Sequence, residues 1–250
     1  MANDGQSWWN QMWQQGMSQG TESPDAPTLP NDIDRRKIDF LQGRIPSTGE
    51  ALGVGCGSAR LLCRVGGQWS GVRLVALDNA DAALAQARAT ASTFGVTIDT
   101  VNGNALDLPF ENNRFDAVLS GGLLEHFTDP RLVLAEMVRV LKPGGTLYAD
   151  VVPRKLSWYR RAEAKRMLRS PWLAPGVFES SYLAPEYVRW LEELSCTRIE
   201  TKWCGVYPHA INKLPTSIRR AVSNGLGALD GTLLADAAGW YFMLSASKVG

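Results

Sequence analysis

The segment Leu52-Gly53-Val54-Gly55-Cys56-Gly57-Ser58-Ala59 places three glycines at alternate positions inside and directly after a short apolar run. Glycine lets the backbone turn sharply and lets a ligand approach where a side chain would collide. The segment therefore predicts a turn between a strand and a helix that holds a nucleoside cofactor. A glycine-rich stretch alone is a weak signal. The dinucleotide fingerprint G-x-G-x-x-G fails here, because its two registers demand glycine at Ser58 or at Arg60. A phosphate-gripping G-x-x-x-x-G-K-[ST] stretch is absent as well.

Outward from this turn, apolar runs alternate with helical patterns. Strands are predicted at 51–54, 72–77, 96–101, 115–120 and 146–152, and helices at 33–41, 58–65, 81–94 and 129–141. The helix 81–94 is stopped by Gly95, and 129–141 is closed by Lys142-Pro143-Gly144-Gly145. Beyond Val152 the pattern predicts helices at 184–194 and 214–226 and strands at 197–206 and 239–247. The implied fold class is α/β: a Rossmann-like, seven-stranded, mostly parallel sheet with helices on both faces. In such a sheet the ligand lies at the carboxyl ends of the strands.

Two further markers sit at those ends. Asp78 closes the 72–77 run, where a carboxylate can accept hydrogen bonds from both ribose hydroxyls of a nucleoside; an Asp there also suits capping of the following helix. Asn104-Ala105-Leu106-Asp107-Leu108-Pro109-Phe110 follows the third strand. The Asn104 amide can pair with an adenine edge, and turn chemistry accounts for an Asn equally.

Together the stretches ALGVGCGSAR, LVALDNADAALAQAR, NALDLPFENNRFDAVLSGGLLEHFTDP and LAEMVRVLKPGGTLYADVV resemble the class I S-adenosylmethionine-dependent methyltransferase family, in its small-molecule, methyltransferase 11-type branch. The resemblance covers about residues 50–152 and implies S-adenosyl-L-methionine as cofactor. It implies that the glycine loop meets the methionine portion, Asp78 the ribose, and Asn104 with Ala105 the adenine. The cofactor-binding candidates are Gly53, Gly55, Cys56, Gly57, Asp78, Asn79, Asn104, Ala105, Leu106, Ser120, Gly121 and Leu123. The chain departs from the family where an acidic residue is usual at Gly53, a third glycine at Ala59, and commonly Asp at Asn104. Gly53 removes a carboxylate that would help to orient the amino acid end of the cofactor.

Methyl transfer from a sulfonium needs alignment of the acceptor and a base for its proton, and no metal. Glu125 and His126, after the fourth strand, are the catalytic candidates; a histidine there also suits a backbone hydrogen bond near the next helix. Of nine tryptophans only Trp69 lies between Pro46 and Val152. The flanks thus carry the aromatic caps that suit a flat or greasy acceptor, and Trp9, Trp13, Trp158, Tyr182 and His209 are the substrate-side candidates.

Residues 1–30 read as an N-terminal helix (7–16) and a proline-rich linker, and 31–250 as the methyltransferase domain. An insertion at 153–183 joins the N-terminal helix as a cap. Within its stretch 154–172, Arg154, Lys155, Arg160, Arg161, Lys165, Arg166 and Arg169 stand against one acid, Glu163, which suits an anionic acceptor, a carrier-bound chain or a peripheral membrane contact through 154–169, or simply solvent. A net charge of +1 calls for no nucleic acid partner. Four cysteines without metal spacing, no secretory signal and no spanning segment point to reduced thiols in a cytoplasm. The expected function is transfer of a methyl group to O, N or C of a small hydrophobic or aromatic molecule; the competing reading is a non-catalytic module that keeps the fold and the cofactor.

Overall fold

The computed structural model describes residues 4–14, 29–154, 178–206 and 215–250. Seven strands form one sheet: β1 (Thr48–Val54), β2 (Gly71–Asp78), β3 (Ile98–Asn102), β4 (Phe115–Gly121), β5 (Leu141–Val151), β6 (Cys196–Cys204) and β7 (Tyr241–Lys248), in the order β3-β2-β1-β4-β5-β7-β6. Strands β1 to β5 pair in parallel, and β7 runs antiparallel to both β5 and β6. The mostly parallel sheet expected from the sequence is thus present. Order reverses between β1 and β4, and this opens a crevice at their carboxyl ends.

The described helices are α1 (Asp4–Gln14), α2 (Leu29–Leu41), α3 (Arg60–Gln68), α4 (Asp81–Phe94), α5 (Pro130–Val140), α6 (Ala184–Glu193), α7 (Thr216–Gly227) and α8 (Leu233–Ala238), with a 3₁₀ turn at Leu124–His126. Each face of the sheet buries one apolar cluster. Val133, Met137, Trp190 and Leu191 of α5 and α6 cover Leu52, Val118 and Leu147 on one side. Leu41, Val65 and Ala87 of α2, α3 and α4 cover Ala51, Leu119 and Tyr148 on the other. The alternation within each strand, one residue to each helix layer, requires apolar residues at nearly every central position.

Helix α4 has the expected bounds, because Gly95 takes a left-handed φ of +67° that ends it. Helix α5 begins at Pro130, where the Asp129 carboxylate accepts the Arg131 N–H. Several expectations need correction. Helix α2 starts at Leu29, inside the expected linker, and α3 starts at Arg60 rather than at Ser58, which belongs to the turn. The Lys142-Pro143-Gly144-Gly145 segment does not precede β5; it lies in it, because Leu141 already pairs with Phe115 before a bulge restores register at Thr146. Helix α8 was not expected at all. Strand β6 runs from Cys196 to Cys204 rather than over the expected 197–206.

Candidate active site

The glycine loop leaves β1 at the crevice. The Cys56 N–H donates to the Leu77 carbonyl at 2.9 Å and the Ala59 N–H to the Cys56 carbonyl at 2.7 Å, so the loop is tied to β2 and closes on itself. Gly55 and Gly57 both take positive φ, +58° and +52°. A Cβ at Gly55 would stand 2.5 Å from the Leu123 side chain, and one at Gly57 would stand 2.7 Å from the Trp13 ring. Glycine is required at both positions by conformation and by contact. Ala59 also lies in the left-handed region, φ 55°, at the position where the family has its third glycine.

Asp78 ends β2 beside this loop. Its Oδ2 accepts the Gly57 N–H at 2.9 Å and its Oδ1 the Ala80 N–H at 3.0 Å, so it braces the loop and the entry to α4 together. Burial raises its pKa, opposed by the N–H groups of Gly57, Ala80 and Asn79. Asn104 is exposed, and its Oδ1 accepts the Leu106 N–H at 3.0 Å, the turn chemistry weighed from the sequence. Ala105 is buried and Leu106 is exposed. Ser120 at the end of β4 is buried with an Oγ that has no hydrogen-bond partner among the described residues, and Gly121 next to it is exposed.

Glu125 and His126 occupy the 3₁₀ turn that follows. Glu125 is 2% exposed. Its Oε1 accepts the Val152 N–H at 3.3 Å, while Oε2 has no hydrogen-bond partner among the described residues. Burial pushes its pKa up to about 8, so it is largely a neutral acid near pH 7. Its carbonyl accepts the Ser180 N–H at 2.6 Å. The His126 Nδ1 lies 3.0 Å from the Phe178 carbonyl. A carbonyl only accepts, so Nδ1 carries the proton and Nε2 keeps its lone pair. Burial lowers the His126 pKa, against the opposing pull of Phe178 and Glu179.

Helix α1 covers this region. The Trp9 ring meets His126 edge-on with centroids 5.0 Å apart, and Asn10 Oδ1 accepts the Ala82 N–H at the start of α4. Tyr182 packs edge-on against Trp190 of α6. Trp158 and His209, like most of the basic insertion and residues 15–28, lie outside the described residues. Sequence reasoning missed a polar group beside the site: Lys37 of α2 pairs with Asp150 of β5 at 2.8 Å. The two are remote in the chain and no local spacing announces them.

Among the described residues no cluster of three His, Cys, Asp or Glu could hold a metal ion, no helix is long and apolar enough to cross a membrane, and all four cysteines are free.

Residues 52–149 match the family model described as "Methyltransferase domain". A ubiquinone biosynthesis O-methyltransferase of Cereibacter sphaeroides is 30% identical over 58% of this chain and 59% of its own length. A demethylmenaquinone methyltransferase of Thermus thermophilus is 34% identical over 45% of this chain and 50% of its own. The chain therefore spans between half and three fifths of the length of these curated relatives. The solved structure of geranyl diphosphate C-methyltransferase from Streptomyces coelicolor, in complex with S-adenosyl-L-homocysteine, covers 99% of this chain and 99% of its own with a TM-score of 0.63 at 15% identity, a likeness of fold. With the glycine loop, Asp78 and the strand order already in place, residues 52–149 match the methyltransferase-domain model, in line with the family that the sequence motifs resemble.

Proposed function

We propose that the protein is an S-adenosyl-L-methionine-dependent methyltransferase acting on O, N or C of a small hydrophobic or aromatic acceptor, with quinone-type rings, as in the names of the curated relatives, the favoured class. The observation that carries the reading is the Asp78 carboxylate at the end of β2 bonded to the Gly57 N–H of the loop that leaves β1 beside the crevice where strand order reverses. The residues fit the cofactor: a loop whose backbone is bare at Gly55 and Gly57, a buried carboxylate beside it, and the orphaned Ser120 Oγ next to exposed Gly121.

When bound, the cofactor supplies an activated methyl group for in-line displacement. The chain's part is to position and to take a proton. Asp78 would hold the ribose, and the 104–106 turn the adenine. His126 Nε2 would accept the acceptor's proton, oriented by the Nδ1 contact with Phe178. Trp9, seated on His126, would pack on a flat acceptor. Glu125 would hold the turn against β5 through the Val152 N–H rather than react, since its own carboxyl is buried. The basic insertion 154–169 would bring the protein to an anionic membrane surface or carrier where a greasy acceptor resides, and 1–30 together with 153–183 would form the cap over the domain.

Calorimetry with S-adenosyl-L-methionine and S-adenosyl-L-homocysteine tests the reading. Binding of both is expected, followed by methyl transfer to a catechol-type or quinol acceptor. No detectable binding of either overturns it, and binding without transfer to any such acceptor favours the non-catalytic module.

A further inference from the structure

The family's acidic residue at the end of the first strand is absent, Gly53 standing in its place. A Cβ at Gly53 would face Leu62 at 3.3 Å and Cys56 at 3.6 Å. On the same face of the sheet, however, a carboxylate approaches the crevice from two strands away. Asp150 is in register with Gly121, and its Oδ2 lies 3.0 Å from where a Gly121 Cβ would be. Gly121 is exposed, so the carboxylate stands directly behind the open end of β4.

The Lys37 Nζ meets Asp150 Oδ2 at 2.8 Å, with side chains 14% and 6% exposed. The Tyr148 hydroxyl donates to the same Oδ2 at 3.2 Å. Both interactions fall on one oxygen, and Asp150 Oδ1 accepts no hydrogen bond from a described residue. Lys37 has three N–H donors and one described acceptor. The pair thus retains an acceptor on one side and donors on the other. Burial draws the Lys37 pKa down, but Asp150 and Asp34 with lesser help from Glu125 outweigh it and raise it, so the ammonium stays charged. A buried ion pair rarely adds net stability over apolar packing of the same volume, and a role in recognition accounts for this one better.

Resting on the cofactor reading above, we propose that Lys37 and Asp150 together bind the zwitterionic amino acid end of the cofactor, Asp150 taking its ammonium and Lys37 its carboxylate, in place of the acid missing at Gly53. Charge-assisted hydrogen bonds of both signs then recognise a ligand that carries both signs.

The test compares S-adenosyl-L-homocysteine with 5′-methylthioadenosine, which has the nucleoside but lacks the amino acid end. In the Lys37→Met/Asp150→Asn double variant, which removes both charges together and leaves no lone buried ion, calorimetry is expected to show homocysteine-form affinity falling about 10-fold or more. Affinity for 5′-methylthioadenosine should change by less than about 2-fold. Equal losses for both ligands, or no loss for S-adenosyl-L-homocysteine, overturn the inference. Lys37→Gln supplies a second variant: it is expected to lose affinity for S-adenosyl-L-homocysteine but not for its decarboxylated form, and equal losses overturn the assignment of Lys37 to the carboxylate. Wild-type protein that binds neither nucleoside overturns the cofactor reading itself, a distinct result.

Discussion

The Asp78 carboxylate reaches from the end of β2 to accept the Gly57 N–H at 2.9 Å, and its second oxygen accepts Ala80 N–H at 3.0 Å. One side chain therefore fixes the glycine loop and the entry to α4 relative to each other. Removing it strands buried donors at a cost of about 1–3 kcal/mol. Asp78→Ala is expected to lower the unfolding free energy by about that amount and to weaken S-adenosyl-L-homocysteine at least about 10-fold; Asp78→Asn should lose less stability. Thermal unfolding and calorimetry on the same samples separate the two effects, and a folded Asp78→Ala protein with unchanged affinity would remove Asp78 from the ribose.

Gly57 and Trp13 make a second linked pair. Gly57 has φ +52°, and a Cβ there would lie 2.7 Å from the Trp13 ring. Gly57→Ala thus carries a backbone cost of about 1–2 kcal/mol in the left-handed region and a separate cost of displacing the ring. Trp13→Ala in the same chain is expected to relieve the second cost and not the first. A double-mutant cycle by thermal unfolding should give a coupling of about 0.5–3 kcal/mol. Strict additivity would mean that α1 does not rest on the loop.

What the sequence makes legible follows the range of the interactions. The central strands are apolar on both faces, and Asp81 and Gly95 bracket α4, so these elements read directly. At Lys142-Pro143-Gly144-Gly145 the local signals for a stop are genuine, yet pairing of Leu141 with Phe115 extends β5 through them. Helix α8 spans six residues with Leu233 and Leu234 exposed; it is too short to show a period, and only the Thr232 cap marks it. The site divides similarly. Gly55, Gly57 and Asp78 were legible because each carries a backbone or end-of-strand signature. The Lys37–Asp150 pair was not, because it exists only through the packing of α2 on the far half of the sheet. Asn104 shows the limit of a single residue type, since its side chain is engaged in its own turn.

Glu125 should give the protein a pH-dependent stability. Its pKa is raised from 4.5 to about 8 by burial, so the folded state binds a proton that the unfolded state releases. For a raised carboxyl the contribution is complete below the unfolded pKa and is lost as pH rises through the folded one. Stability should therefore fall between about pH 4.5 and about pH 8, with a slope of at most about 1.4 kcal/mol per pH unit from this group. Glu125→Gln keeps a neutral polar group in place and should flatten that fall. Denaturant unfolding at a series of pH values measures it, and parallel curves for the two proteins would show that Glu125 ionises normally.

His126 presents Nε2 as a base only while Nδ1 holds its proton against the Phe178 carbonyl at 3.0 Å. Burial lowers its pKa below the ordinary 6.5, so the neutral form prevails at pH 7 and is lost only in acid. Turnover that uses this base is expected to be level through neutrality and to fall on the acid side, with a midpoint below 6.5. His126→Gln should cut kcat by about 100-fold or more while S-adenosyl-L-homocysteine affinity stays near wild type, because the ring contacts Trp9 and Phe178 rather than the glycine loop. Trp9→Ala, which removes the ring seated on His126, should raise KM for an aromatic acceptor more than it lowers kcat. Steady-state kinetics across pH 5 to 9 on the three proteins decide the matter: an acid limb that persists unchanged in His126→Gln would assign the proton transfer to another group.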